Sequence, residues 1–132
     1  MMKRLVVAFA VLAILLCAAD GKRKPPKLPD VQVLEAKARR SEGQVLVDGR
    51  VRNSGSKPLN GLTLFFDFMS TDDVVVTTKR HAIDEDVLSP AKESEFRLFL
   101  ADPGRAVSFL MRAETNAGKE LRISNAGPFP VE

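Results

Sequence analysis

The chain has no tryptophan and no tyrosine, a single cysteine at Cys17 and a single histidine at His81. Each shortage removes a class of function. One cysteine cannot close a disulfide within one chain, so the fold must stand on packing alone, as suits a bacterial-type export route. Zinc as a rule takes about three or four nitrogen or sulfur ligands, and His81 with Cys17 falls short of that set. Sandwich proteins that bind carbohydrate usually stack the sugar on exposed Trp or Tyr, and here only Phe is available. A serine hydrolase would need His81 as its base, with a serine on a strained turn, yet no Gly-x-Ser-x-Gly run exists. No glycine-rich loop feeds a helix that could cradle phosphate. The expectation is a chain that is not an enzyme and holds no cofactor.

At 132 residues there is room for one domain with a small core whose aromatic mass is all phenylalanine. The formal charge of +3 invites a nucleic-acid reading. The excess, however, sits at the front of the chain. From Val31 onward there are 14 basic against 15 acidic residues, so the part expected to fold lacks the basic footprint that phosphate binding requires.

Residues 1–19 carry a short basic head (Lys3, Arg4), an apolar run from Leu5 to Leu16, and small residues Ala18 and Ala19. This is the layout of a secretory signal peptide. Counted on through Ala19 the apolar stretch is 15 residues, where about 20 are needed to cross a bilayer, which sets it apart from a membrane anchor. A lipoprotein signal ending at Cys17 is the other alternative, although Leu16 stands where such a signal wants a small residue. Residues 20–30 are rich in proline and hold Lys22, Arg23, Lys24 and Lys27. That composition makes a semi-extended tether. It is either a plain spacer or a weak contact to anionic lipid, at about 1 kcal/mol for each cation near the surface.

Residues 31–132 read as strands. From Leu62 to Met69, Leu62, Leu64, Phe66 and Phe68 alternate with Thr63, Phe65, Asp67 and Met69, the period of a chain with one side in the core. Val45, Val47 and Val51 share a face with Gly49, opposite Asp48, Arg50 and Arg52. Val31 to Arg40 mixes strand alternation with helical composition, and is assigned to a first strand with a register change near Leu34. Val74 to Thr78 is a β-branched strand. Lys79 to Leu88 is polar and is expected to form a loop, with at most a short edge strand. Phe96, Leu98 and Leu100 alternate inward, as do Val107, Phe109, Met111 and Ala113. Asp102, Pro103 and Gly104 make a turn, a last strand passes through Leu121 and Ile123, and residues 127–132 run extended along an edge.

About seven strands at near-regular spacing predict an all-β, immunoglobulin-like antiparallel β-sandwich. In that arrangement the Leu62 strand lies beside the Val107 strand, and the Val45 strand beside the Ser94 strand. The order of signals resembles the FxLYD-type domains of bacterial and archaeal envelope proteins. The resemblance rests on Gly49 to Gly55 with Lys57 to Leu59, on Phe66 to Ser70, and on Leu88 to Pro90 leading to Phe96. It covers roughly residues 31 to 124, with Phe68, Met69 and Ser70 standing in place of the Leu, Tyr and Asp of the naming motif. The resemblance implies an immunoglobulin-like sandwich without catalytic residues, acting outside the cytoplasm.

Two clusters remain as candidate sites. His81, Asp84, Glu85 and Asp86 are close in sequence, but calcium needs about six to eight oxygens from a loop that bends to present them. No glycine lies between His81 and Leu88, so a solvated acidic loop is expected and no metal. Asn53 is followed by Gly55 where glycosylation needs Ser or Thr, and is expected to make a turn-forming hydrogen bond to backbone. On the outward side, pairing of the Leu62 and Val107 strands would bring Phe65, Met69 and Leu110 to one solvent face, flanked by Asp67 and Arg112. That grouping suits a partner surface, although single exposed apolar residues are also ordinary, and Phe129 with the proline tail could fold over them. The sequence thus points to an exported module, periplasmic or extracellular, that binds an envelope protein. A structural envelope component held at the membrane by Cys17 or the basic tether is the alternative.

Overall fold

The alternation seen along the chain assembles two facing sheets. A computed structural model describes residues 28–132. The signal-peptide stretch, Cys17 and the tether cations Lys22, Arg23, Lys24 and Lys27 lie outside the described residues. The strands are β1 (Val31–Ser41), β2 (Gln44–Asn53), β3 (Leu59–Asn60), β4 (Thr63–Met69), β5 (Val75–Ala82), β6 (Val87–Leu88), β7 (Glu93–Ala101), β8 (Ser108–Glu114), β9 (Ile123–Ser124) and β10 (Phe129–Pro130). The first sheet has the order β7-β2-β1-β9 and the second β10-β8-β4-β5, with β3 and β6 forming a separate two-stranded ribbon. This is an immunoglobulin-like sandwich. Both expected neighbour pairs are present, β4 beside β8 and β2 beside β7.

The facing sides hold the core. Val45, Val47 and Val51 of β2, Leu64, Phe66 and Phe68 of β4, Phe96 and Leu98 of β7, and Phe109, Met111 and Ala113 of β8 are all buried. The rings form a chain, with centroids 5.4 Å apart for Phe66 and Phe96, 6.0 Å for Phe66 and Phe109, and 5.6 Å for Phe68 and Phe109. Each sealed Phe or Leu is worth about 1.5–3 kcal/mol over its exposed state.

Gly49 is required by packing. A Cβ there would stand 2.1 Å from the Glu35 carbonyl oxygen and 2.6 Å from Cζ of Phe96. The β1 backbone comes this close where its register against β2 shifts between Val33 and Glu35, at the position expected from the sequence.

Two expectations need correction. The segment expected to be a loop from Lys79 is strand as far as Ala82, because β5 continues its ladder with β4 through Thr78, Lys79, Arg80 and His81. Val107 does not point inward. It is exposed, and Ala106 takes the buried place, since β8 begins only at Ser108. Phe129 packs on Phe109 at 5.2 Å, so the C-terminal stretch covers the core edge beside β8 and leaves the Phe65 face open. Beyond it, Val131 bridges to Ala38 of β1, and Glu132 exchanges backbone hydrogen bonds with Ala38 and Arg40.

Candidate functional site

Because β4 alternates, its outward residues line up in rows across the second sheet. Phe65 lies between Arg80 of β5 and Arg112 of β8, Asp67 between Thr78 and Leu110, and Met69 between Val75 and Ser108. The face expected from the sequence is therefore assembled. Phe65, Met69, Leu110 and Asp67 are half-buried and Arg112 is exposed.

The rows are held by polar contacts. Arg112 donates through Nε to Asp67 Oδ2 at 2.7 Å and through Nη2 to Oδ1 at 3.0 Å, a bidentate fork of the stronger class of hydrogen bond. Thr78 Oγ1 donates to the same carboxylate at 2.7 Å. The hydrogen bonds from Arg112 hold the Asp67 carboxyl below the usual carboxylate range against the opposing effect of partial burial, with Thr78 adding to the lowering. The Arg112 guanidinium in turn is raised, chiefly by Asp67. The same guanidinium lies 4.9 Å from the centroid of the Phe65 ring, and that of Arg80 lies 5.8 Å from it. Phe65 is thus flanked by two cations, one of them locked in place. Attraction of this kind is worth about 0.5–1 kcal/mol at exposed sites.

Arg80 was missed by reading the sequence, because Lys79 to Leu88 was expected to be a loop. The signal available was the alternation of Thr78, Arg80 and Ala82 continuing the Val74 strand.

The acidic cluster is dispersed. Glu85 accepts a hydrogen bond from the buried Ser94 Oγ. His81 and Asp84 border an open cleft of about 440 Å³ beside Glu95, Phe96 and Arg97. Among the described residues no group of three or more His, Cys, Asp or Glu side chains converges as a metal site would. Asn53 is buried and makes the expected turn, its Oδ1 accepting from Gly55 N at 3.0 Å, while its Nδ2 donates to Lys57 O and Leu88 O, both at 2.8 Å. It ties the β2 end to the β3/β6 ribbon and is structural.

No protein-family model and no curated protein sequence matches this chain. Among solved structures, it is similar to a domain-sized part of a β-glucuronidase from glycoside hydrolase family 2, at 8% identity and a TM-score of 0.52. The match covers 77% of this chain and 13% of that one, and at such identity it shows the fold alone. Lower similarity extends to a Bordetella pertussis protein assigned as ApaA, at 17% identity and a TM-score of 0.45 over 76% of this chain and 99% of that one. IrmA from Escherichia coli follows, at 10% identity and a TM-score of 0.43 over 77% and 95%.

Proposed function

We propose that the protein is an exported, non-catalytic binding module of the cell envelope, and that it engages a protein partner through the outward face of β8, β4 and β5. The observation that carries this reading is Phe65, half-exposed in the middle of a regular sheet and flanked by Arg80 and Arg112. Aromatic residues, Met and Arg are the types enriched at protein interfaces, and Tyr, Trp and Arg dominate binding hot spots. Here they sit on rigid strands. Arg112 is already fixed by its fork to Asp67, so little side-chain entropy is left to lose on association. Met69 and Leu110 extend the apolar area toward the Met69 end of β4, around Asp67. The FxLYD resemblance and the signal-type leader support placement outside the cytoplasm. Among the described residues, no helix is long and apolar enough to cross a membrane.

The test is a double substitution, Phe65→Ser with Met69→Ser, in the full chain. Both side chains are outside the sealed layer, so melting should shift by only a few degrees while recovery of the bound envelope protein is lost. Unchanged recovery would refute this surface as the binding face.

A further inference from the structure

The two long outer strands of the sandwich differ in one respect that decides what each can pair with. β7 has β2 as its one sheet neighbour, and β5 has only β4. An outer strand with free backbone groups is a template for another strand. The Asn53 amide donates to Lys92 O at 2.9 Å and the Asp102 amide to Gly43 O at 3.0 Å. Both bonds fall in the register that sets Val51 against Ser94 and Val47 against Leu98. In that ladder Ser94, Phe96, Leu98 and Leu100 turn their backbone groups toward β2. Glu93, Glu95, Arg97 and Phe99 therefore turn theirs outward, at the free edge.

Those same residues carry the outward side chains, and two of them, Glu95 and Arg97, end rows of charge that run across the sheet. Across the first sheet, Glu35, Arg50 and Glu95 form one row, and Lys37, Asp48 and Arg97 the next. Each row alternates in sign, and the two rows are opposite to each other. Arg50 is committed to Glu35 at 3.3 Å and Glu93 at 3.1 Å. Among the described residues neither Glu95 nor Arg97 has an ion-pair partner, and both are exposed.

We infer that β7 is a self-association edge, and that its partner is β7 of a second copy in antiparallel register, with Phe96 opposite Phe96 on the two-fold axis. This register places Glu95 of each copy against Arg97 of the other and uses the outward-turned backbone groups of both. The row Glu35, Arg50, Glu95 then continues into Arg97, Asp48, Lys37 of the second copy, six side chains of strictly alternating charge. Neighbouring registers lose this match. Centring on Arg97 sets two arginines against each other, and centring on Glu95 sets two glutamates against each other while its Arg97–Glu93 pairs would draw Glu93 away from Arg50; like charges directly across a ladder are destabilising. β5 cannot pair with itself in this way, because Val75 to Ala82 contains Lys79 and Arg80 and no acid. His81 and Asp84 border the cleft beside this edge, but the outward Phe65 face takes no part in the contact, so the proposal is independent of the binding face described above.

The experiment is sedimentation equilibrium of the full chain over a range of concentrations, with E95K, R97E and their equimolar mixture. The wild-type chain should show a monomer–dimer equilibrium, and each single substitution should weaken it roughly tenfold or more, since two cross-strand pairs turn repulsive at once. The mixture should recover association. One copy then brings only cations at the two positions and the other only anions, so both pairs are again opposite in charge. Melting of both variants should fall only slightly, because the altered side chains are exposed, although each then faces a like charge on β2, Arg50 or Asp48. A wild-type chain that stays monomeric at about 1 mM, where a Kd corresponds to only about 4 kcal/mol, overturns the proposal. So does a dimer indifferent to either reversal, or a mixture that stays as dissociated as its components.

Discussion

Replacing Gly49 by alanine adds one methyl group, and the surroundings define where it must go. The new carbon would lie 2.1 Å from the Glu35 carbonyl oxygen, 2.9 Å from the carbonyl carbon and 2.6 Å from Cζ of Phe96. Two of these are backbone atoms at the β1 register shift, so a rotamer change cannot clear them. The third belongs to a ring tilted at 49° against Phe66, its centroid 5.4 Å away, so displacing it disturbs the aromatic core. Overpacking typically costs about 1–3 kcal/mol, and a clash shared by backbone and core belongs at the upper end, about 2–3 kcal/mol. For a domain near 100 residues each kcal/mol lowers Tm by roughly 4–8 °C, so a fall of roughly 10–20 °C is expected. Far-UV circular dichroism is the suitable readout, since the chain has no Trp or Tyr to report by fluorescence. Gly43→Ala is the control. Gly43 has φ +79 with nothing within 4 Å of its added Cβ, so it bears only the left-handed backbone cost of about 1–2 kcal/mol. If Gly49→Ala destabilises no more than Gly43→Ala, the close approach of β1 and Phe96 to β2 is refuted.

Asn53→Ala should cost about 2–3 kcal/mol, because it strands the buried Leu88 carbonyl together with the part-buried Lys57 carbonyl and Gly55 amide; urea midpoints followed by circular dichroism measure it, and a near-neutral result would mean the β3/β6 ribbon is held otherwise. The Asp67 carboxyl is held low in the folded chain, so its stabilising contribution is complete above its unfolded-state value and is lost as pH falls through the lower folded value. Asp67→Asn should therefore flatten the decline of Tm below about pH 4; an acid limb of unchanged slope would contradict the fork with Arg112. The Phe65 and Met69 double substitution should remove partner binding with little change in melting, as set out above.

How much of this was visible in the sequence depends on whether a residue faces a sealed layer. From Leu62 to Phe68 the period of two is unbroken because the inward side is fully buried and the outward side is not, and the strand, its faces and its β8 neighbour all follow. The shift near Leu34 was legible because alternation stops there. β5 was only half legible, since it is an outer strand: Thr77, Lys79 and His81 sit at the margin of the sandwich, where burial does not select apolar side chains. That hid Arg80, and with it half of the cationic setting of Phe65. Val107 misled because a β-branched residue just before a strand continues the alternation in sequence, whereas the chain turns inward one residue earlier, at Ala106. The complementarity of Glu95 and Arg97 at a free edge depends on which strand ends the sheet, and that order is a property of the tertiary fold.

Phe65 and Phe66 are adjacent and lie on opposite faces of β4, one presented and one sealed. Thermal and urea unfolding of Phe65→Ala and Phe66→Ala, measured side by side, tests that assignment most directly. Phe66→Ala should lose about 3–5 kcal/mol, as large core truncations do, and Phe65→Ala about 1–2 kcal/mol, the scale of its two cation–π contacts. Equal losses, or a greater loss at Phe65, would contradict the sandwich and the binding face together.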